Sequence, residues 1–419
     1  MARKTELSNP QAERDPQAGL RFAVLQPGAR MHYAVPAILA RAAMLHRLYT
    51  DICADIGLLP QTLRLWPKAW RPTMVDRLLG RQVPQVVDRR AIRQCGAGAV
   101  FAQWVHARIT GSEEGAIDDC VMALARRDKF GGANALYTVL INSDLDLVRE
   151  ARQLGIKVVH EVMLSPDVGL WVREERDRYA GIEDPYGLEE VERGRARDHE
   201  KYQLADLILV PSIFARDAVL ALGAPPERVT VVPYGVDASW LDEVPRPQPG
   251  RVLFVGAVGL RKGVPYLAEA MRILRRRGVK CEVRVVGPVE PELAANPAFE
   301  GPTYVGSVPR SEMRREFLQA DLFVLPSVAE GSATVTYEAL ACGLPVVTTH
   351  NAGSVVRDGA DGFIVPIRDA KTLADRIEEI VSNRELRGRL SAQARERARE
   401  YTWERYGERL IAAVLRVGG

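Results

Sequence analysis

Two glutamates, Glu330 and Glu338, stand eight positions apart in PSVAEGSATVTYEALACGLPVV, which runs from Pro326 to Val347. Leu322 to Leu325 reads as a buried strand ending at Pro326-Ser327, so Glu330 falls in the loop after it. A helix is expected to start near Ser332 to Thr334 and end by Cys342-Gly343, with Gly343 as C-cap and Pro345 beyond. The free N–H groups of its first turn form a ready anion site. Carboxylates beside such a site repel the anion. They make sense if held for hydroxyls, since one carboxylate accepts two vicinal hydroxyl hydrogen bonds. The plainer alternative is a first-turn acid and a surface helix residue. Against it, Glu338 is set in Val335-Thr-Tyr-Glu-Ala-Leu-Ala-Cys342, apolar on most sides, where a merely solvated carboxylate is out of place.

Cations occur in a second loop, Val255-Gly-Ala-Val-Gly-Leu-Arg-Lys-Gly263, between a strand and a helix over Val264 to Arg277. Gly256, Gly259 and Gly263 permit close backbone approach. Arg261 and Lys262 gain nothing from the helix dipole unless an anion such as a diphosphate sits between. Solvated surface cations are the alternative. Neither a G-x-G-x-x-G fingerprint nor a Walker A loop is present. Eight helical residues span about 12 Å. That length suits an extended nucleotide sugar: diphosphate at the helix N-terminus, hexose hydroxyls near Glu330, ribose hydroxyls near Glu338.

These groups need a scaffold that brings loop ends together. A chain of 419 residues suggests two domains of about 200 residues each. The composition, 47% hydrophobic and 26% charged, is that of a globular protein, and a net charge of +3 gives no strong general pull toward nucleic acid. Short apolar runs, among them Phe22 to Leu25, Ala135 to Ile141, Leu207 to Val210, Val229 to Val232, Val252 to Val255 and Val283 to Val286, alternate with helix-length segments. Most are continuous, as in strands buried on both faces, which predicts parallel α/β sheets. Ala205-Asp-Leu-Ile-Leu-Val-Pro-Ser212 echoes Ala320-Asp-Leu-Phe-Val-Leu-Pro-Ser327. Either any buried strand with a Pro-Ser turn looks so, or two similar domains present an equivalent strand end. A boundary fits at Val232 to Asp237 or in the VPRPQPG ending at Gly250. Tyr401 to Val417 is amphipathic and free to cross back to the first domain. Ligands of such sheets bind beyond the carboxyl ends of the strands. There Val158-Val-His160-Glu161 places a histidine facing the cleft, with a structural histidine as the alternative.

Five cysteines with no C-x-x-C argue against a disulfide framework or zinc site and for a reducing compartment. Residues 1–20 read as a disordered tail with no signal-peptide core, and no apolar run reaches the roughly 18 residues of a membrane span. A cytoplasmic protein is expected. The one D-x-D, Asp144-Leu-Asp146, reads as the first turn of a helix capped by Ser143 rather than a metal site, so no metal ligand is assigned. The segment 64–93 has eight basic and two acidic residues plus Trp66 and Trp70. It reads as a solvated basic face or as a peripheral contact with an anionic membrane.

The composite E-G-x6-E-A-L-A-C-G-L-P-V-V, with A-D-L-F-V-L-P-S before it and N-A-G-S-V-V-R-D-G-A-D-G-F-I-V-P after it, resembles the donor-binding half of family 4 retaining glycosyltransferases. The match extends upstream through F-V-G-x5-K-G and V-V-P-Y-G-V-D and covers about 205 to 400; the N-terminal half matches more loosely. The resemblance implies the GT-B fold, two Rossmann-like doubly wound domains facing a cleft: an acceptor domain over 21–235, a donor domain over 236–400 and a returning helix over 401–419. It implies a nucleotide-diphosphate sugar co-substrate, UDP- or GDP-linked, no other cofactor, and a glycan or lipid-linked acceptor. By position it implies Glu330 on the donor hexose, Glu338 on the ribose and Lys262 on the diphosphate. Catalysis falls to His160, Glu330 and Lys262. The family's second basic residue after the strand glycine is Ala257 here, so Arg261 becomes the substitute. The family's E-G-F-G reads Glu330-Gly331-Ser332-Ala333. Phosphate-facing amides are expected around Ala333, Thr334 and Val335, base contacts near Val308, and a glycine loop near the sugar at Gly28 and Ala29. His160 would touch the sugar near its anomeric carbon. Retention by front-face attack without metal is implied. The alternatives are a GT-B epimerase or phosphorylase, or a non-catalytic nucleotide-sugar sensor.

Overall fold

The computed structural model of the chain describes residues 19–67, 70, 71, 75, 78–96, 98, 116–140 and 144–418. The first half alternates strands and helices in the order β1 (Phe22–Leu25), α1 (Ala34–Arg41), β2 (Leu45–Thr50), α2 (Leu58–Arg64), β3 (Ile92–Gln94), α3 (Ala116–Arg127), β4 (Ala135–Thr138), α4 (Leu145–Gln153) and β5 (Lys157–Glu161). It continues through α5 (Val168–Arg178), α6 (Leu188–Leu204), β6 (Leu207–Val210), α7 (Ile213–Ala221) and β7 (Val229–Val231). The strands form one sheet in the order β3-β2-β1-β4-β5-β6-β7. The second half runs β8 (Arg251–Val255), α8 (Val264–Arg276), β9 (Glu282–Val286), β10 (Thr303–Gly306), α9 (Arg310–Gln319), β11 (Leu322–Leu325), α10 (Thr334–Ala341), β12 (Val346–Thr349) and β13 (Gly362–Val365). Its sheet order is β10-β9-β8-β11-β12-β13. The chain then ends in α11 (Ala370–Ser382), α12 (Arg384–Arg399) and α13 (Trp403–Leu415). Pairs such as β1 with β4 and β8 with β11 are parallel. Continuous apolar strands sit between helices on both faces, which is why runs such as Leu322–Leu325 are buried at every position. The order reverses between β1 and β4 and between β8 and β11, opening a crevice at those strand ends.

The echoed octapeptides do not mark equivalent strands. β11 neighbours β8 as β4 neighbours β1, whereas β6 lies two strands further out. What they share is local: Asp206 accepts the amide of Val158 (2.8 Å) and Asp321 that of Gly250 (3.0 Å), so each aspartate fastens the start of a nearby strand. Expecting no disulfide is also corrected. Folding brings Cys95, after β3, to Cys120 on α3, with Cα atoms 6.1 Å apart and the sulfurs bonded. Their 25-residue separation carried no local sign of the contact. The 1–20 tail falls outside the described residues except for its last two, and Ser143 lies outside them as well.

Several ties join the two sheets' domains. Val236 donates its amide to the carbonyl of Tyr401 (2.9 Å), and Trp403 donates back to Val236 (3.1 Å), so α13 starts where the first crossing ends. It packs onto α1, with Gly407 close against Ile38. Glu175 on α5, fully buried, accepts from Tyr266 (2.7 Å) on α8 and pairs with Arg368 (2.5 Å). Ser212 donates to the carbonyl of Gly331 (2.5 Å).

Glu175→Ala removes one partner of a buried ion pair and is expected to cost about 3–5 kcal/mol, whereas removing its exposed neighbour in Glu174→Ala is expected to cost under about 1 kcal/mol. Thermal unfolding of both variants checks the contrast.

Candidate active site

The chemistry gathers where the loops after β8 and β11 meet. Gly263 has φ +69°, and a Cβ there would lie 2.0 Å from the Pro326 carbonyl oxygen. The glycine thus lets the start of α8 rest against the end of β11. Val328 then donates its amide to the carbonyl of Arg261 (2.8 Å). Arg261 and Lys262 close on Glu330, at 2.7 and 2.5 Å. Glu330 is buried, and the two cations supply what a desolvated carboxylate requires. The sequence separated these groups, with cations on a diphosphate and the acid on a sugar; the fold makes them one cluster.

The α10 N-terminus corrects one expectation. The amide of Ala333 already donates to the carbonyl of Ala352 (3.0 Å), because the turn after β12 packs against this loop. Thr334 and Val335 keep the open first-turn amides. Ser332 turns its hydroxyl to that of Tyr337 (3.1 Å). Gly331 meets the other domain: a Cβ there would sit 1.8 Å from the carbonyl oxygen of Met163.

Glu338 is buried one turn into α10, and Arg310 at the start of α9 pairs with it at 2.7 Å. Burial raises its carboxyl above the ordinary glutamate value, and the Arg310 charge pulls it back down. The guanidiniums of Arg310 and Arg314 lie 5.5 and 5.0 Å from the Trp240 ring centroid. These groups line a cavity of about 750 Å³ together with Thr334, and with Met31 and His32 from the first domain. Val308 is half-buried and does not line this cavity.

Met31, His32 and Tyr33 have φ of +48°, +52° and +58°. A left-handed conformation costs a non-glycine residue roughly 1–3 kcal/mol, so the turn must be held from outside. It is anchored on both sides. Arg30 pairs with Glu161 (2.8 Å) and bonds Tyr234, while Tyr33 is fully buried. Glu161 also accepts from Tyr137 (2.6 Å). Gly28 has φ +72° and its amide is taken by Asp51 (2.9 Å), so Gly28 and Ala29 lead into the turn, and Met31 and His32 become the wall. Sequence reasoning missed Met31, His32, Trp240 and Arg310. Only Gly28 signalled an unusual turn there.

A second cavity, of about 380 Å³, lies across the domain seam. Ala257, Gly259, Arg261 and Lys262 face Arg176, Glu183 and Tyr186. Glu183 accepts the Leu260 amide (2.8 Å) and pairs with Arg176 (3.2 Å). A further cation beside Lys262 therefore comes from the other domain.

His160 sits at the end of β5 in a third cavity, of about 830 Å³, which adjoins the second at Val168, Gly169 and Tyr186. The structure does not put it in the cavity of Glu338. Its Nδ1 is buried without a hydrogen-bond partner among the described residues. Burial, and then the charge of Lys201, push its pKa down to about 3, against a weaker opposing pull from Asp144. The D-x-D aspartates diverge. Asp146 is in the first turn of α4 and 80% exposed. Asp144, expected beside it, is fully buried against Lys201 because α6 crosses over the end of β4. In the basic segment, Arg81 pairs with Asp51, Arg64 and Arg89 with Asp55 (3.6 Å each) and Arg93 with Asp128 (3.8 Å). Leu65 and Trp70 are more than 80% exposed.

Residues 249–383 match the Glycosyl transferases group 1 family model. The chain is 30% identical over 186 residues to the amylovoran biosynthesis glycosyltransferase AmsK of Erwinia amylovora, covering 40% of this chain and 46% of that protein. It is 31% identical over 241 residues to the D-inositol 3-phosphate glycosyltransferase of a Nocardioides species, covering 49% and 53%. The chain thus spans about half the length of the curated relatives it matches. Among solved structures, Anabaena HepE in complex with UDP-glucose superposes over 94% of this chain and 99% of its own, with a TM-score of 0.59 at 12% identity. The second domain carries a group 1 domain and the fold is GT-B.

Two outcomes are expected. Because His160 binds a proton far less readily folded than unfolded, the unfolded state takes up the extra proton and stability falls as pH drops from about 6.5 toward 3. Its share is at most about 1.4 kcal/mol per pH unit, and melting curves of His160→Leu should show a shallower acid slope. Gly331→Ala must push the Glu330 loop off Met163, so the melting temperature should drop and small-angle scattering should show a wider cleft.

Proposed function

We propose that the protein is a family 4 retaining glycosyltransferase that moves a hexose from a nucleoside-diphosphate sugar to an acceptor hydroxyl in glycan or glycoconjugate assembly. The observation that carries this is the pairing of two buried glutamates with cations on either side of an open helix N-terminus, one beside the 750 Å³ cavity. Glu338 reads ribose hydroxyls when they replace Arg310, and Arg310 and Arg314 then neutralise the nucleotide. Thr334 and Val335 offer amides, and Lys262 and Arg261 offer charge, to the diphosphate. That leaves Glu330 for the hexose hydroxyls. A UDP-sugar donor is favoured because the superposing HepE structure holds UDP-glucose.

Retention follows a front-face course in this reading. The bond from the anomeric carbon to the diphosphate oxygen breaks while the acceptor oxygen bonds on the same face. The acceptor proton passes to the leaving phosphate oxygen, giving the glycoside and the nucleoside diphosphate. Charge develops on the diphosphate, where the cations and amides stabilise it. His160 hydrogen-bonds the sugar and holds the anomeric carbon in line. No metal or other cofactor enters these steps. The exposed Leu65, Trp66 and Trp70, beside Arg64 and Arg71, are the contact through which a lipid-linked acceptor's membrane is approached.

A thermal-shift screen of UDP-, GDP-, ADP- and dTDP-sugars, followed by transfer assays, tests the reading. Glu338→Ala should raise the donor KM about 10- to 100-fold, the worth of hydrogen bonds to a charged group. Glu330→Ala should lower kcat by a comparable factor. Full activity in both variants would sink the assignment. Donor binding without transfer or donor hydrolysis would leave a nucleotide-sugar sensor instead. Trp70→Ala should weaken sedimentation with vesicles containing anionic lipid.

A further inference from the structure

Lys201 and Asp144 are an ion pair that the reaction above does not use. Lys201, in the last turn of α6, lines the third cavity and Asp144, just before α4, pairs with it; the two are 1% and 0% exposed. The ammonium donates to Asp144 (3.1 Å) and the Leu140 carbonyl (3.2 Å) and makes a longer ion-pair contact with Asp198 (3.6 Å). Asp144 in turn accepts from Thr138 (2.5 Å) at the end of β4. Beside this network stands His160, whose ring lies 6.1 Å from that of Tyr202, with Nδ1 unpartnered among the described residues. Buried ion pairs are poor stabilisers relative to apolar packing, so one that crowds a cavity histidine calls for a role.

We propose that Lys201 is a positioning residue that occupies Asp144 and so leaves His160 a neutral imidazole free for a ligand hydroxyl. The reason is competition. Asp144 is a buried carboxylate that must be paired with something. Without Lys201, the charge of Asp144, which already favours the protonated His160 ring, is left unbalanced beside it. The other titratable groups of this cavity are Tyr186 and, on α6, Glu190, Arg193, Arg195, Arg197, Asp198 and Tyr202, with Arg195 paired to Asp167 and Asp198 to Lys201; Glu161, next along β5, is already taken by Arg30. The depressed His160 pKa agrees with this arrangement. The consequence concerns what the ring can read. A neutral imidazole keeps one accepting nitrogen for a hydroxyl proton, whereas imidazolium can only donate and would attract the departing diphosphate to the wrong place. This inference rests on the assignment of His160 to the sugar and adds the residues that hold it in the required state.

The test is an NMR titration of the His160 imidazole in the full chain without substrate, in wild type, Lys201→Gln and Lys201→Gln/Asp144→Asn. Glutamine keeps hydrogen-bond donors for Leu140 and Asp144 but no charge. In wild type no His160 transition is expected between pH 8 and 5. In Lys201→Gln the midpoint should move up into that range, although burial still holds it down, and the second substitution should abolish the shift again. One pH unit below that midpoint about a tenth of the ring is neutral, so kcat there should fall about tenfold relative to its high-pH plateau in Lys201→Gln. A purely structural pair would lower the melting temperature of both variants and shift neither titration. Ordinary titration of wild-type His160, or silence in folded Lys201→Gln, overturns the proposal. Wild type alone decides the first point if the variant does not fold. Full transfer activity in His160→Ala would overturn the sugar-contact reading, and the substrate-free titration is independent of it.

Discussion

A charge taken out of water must find a partner, and most of this molecule's cleft is built around that requirement. Glu330 with Arg261 and Lys262, Glu338 with Arg310, Glu175 with Arg368, Glu161 with Arg30, and Asp144 with Lys201 each set a buried acid against a cation from another segment. All five acids lie at or within a few residues of a strand's carboxyl end or in the helix that follows. Parallel sheets bring strand ends together at the crevice, so a cation from one loop reaches an acid on the next. In the proposed function the same pairing lets acids flank a phosphate site: the cations balance each carboxylate until hydroxyls take their place.

Backbone approach is the second requirement. Gly263 against Pro326 and Gly331 against Met163 leave no room for a side chain. The first sets the distance from the Arg261-Lys262 loop to Glu330. The second presses the Glu330 loop against the other domain. The left-handed turn at Met31 to Tyr33 performs the same service from the first domain, and the Arg30 network supports its strain. Cavities on both sides of the seam thus share walls, and domain contact and site shape are one property.

Much of the architecture was legible beforehand. Continuous apolar runs such as Leu207–Val210 and Leu322–Leu325 became parallel strands, and the α10 helix starts within the expected stretch. The echo of Ala205 to Ser212 in Ala320 to Ser327 misled about position because a strand's sequence encodes its burial, not its place in the sheet. The Cys95–Cys120 bond and the burial of Asp144 were hidden for a similar reason. Both depend on which helix crosses which strand end, and neither partner lies near the other in sequence.

The amino-acid sequence by itself determined the two-sheet parallel fold, the loop of Glu330, the helix of Glu338 and the Arg261-Lys262 loop, because periodicity, glycine and proline act locally. Only the tertiary structure decided that Lys262 and Glu330 form one cluster and that Ala333 spends its amide on Ala352. It also placed His32 in one cavity with Glu338, and His160 with Lys201 in another that adjoins the Lys262 cavity. Those outcomes turn on distances of a few ångströms between segments far apart in the chain, and pairing energies at that range exist only once the domains are packed.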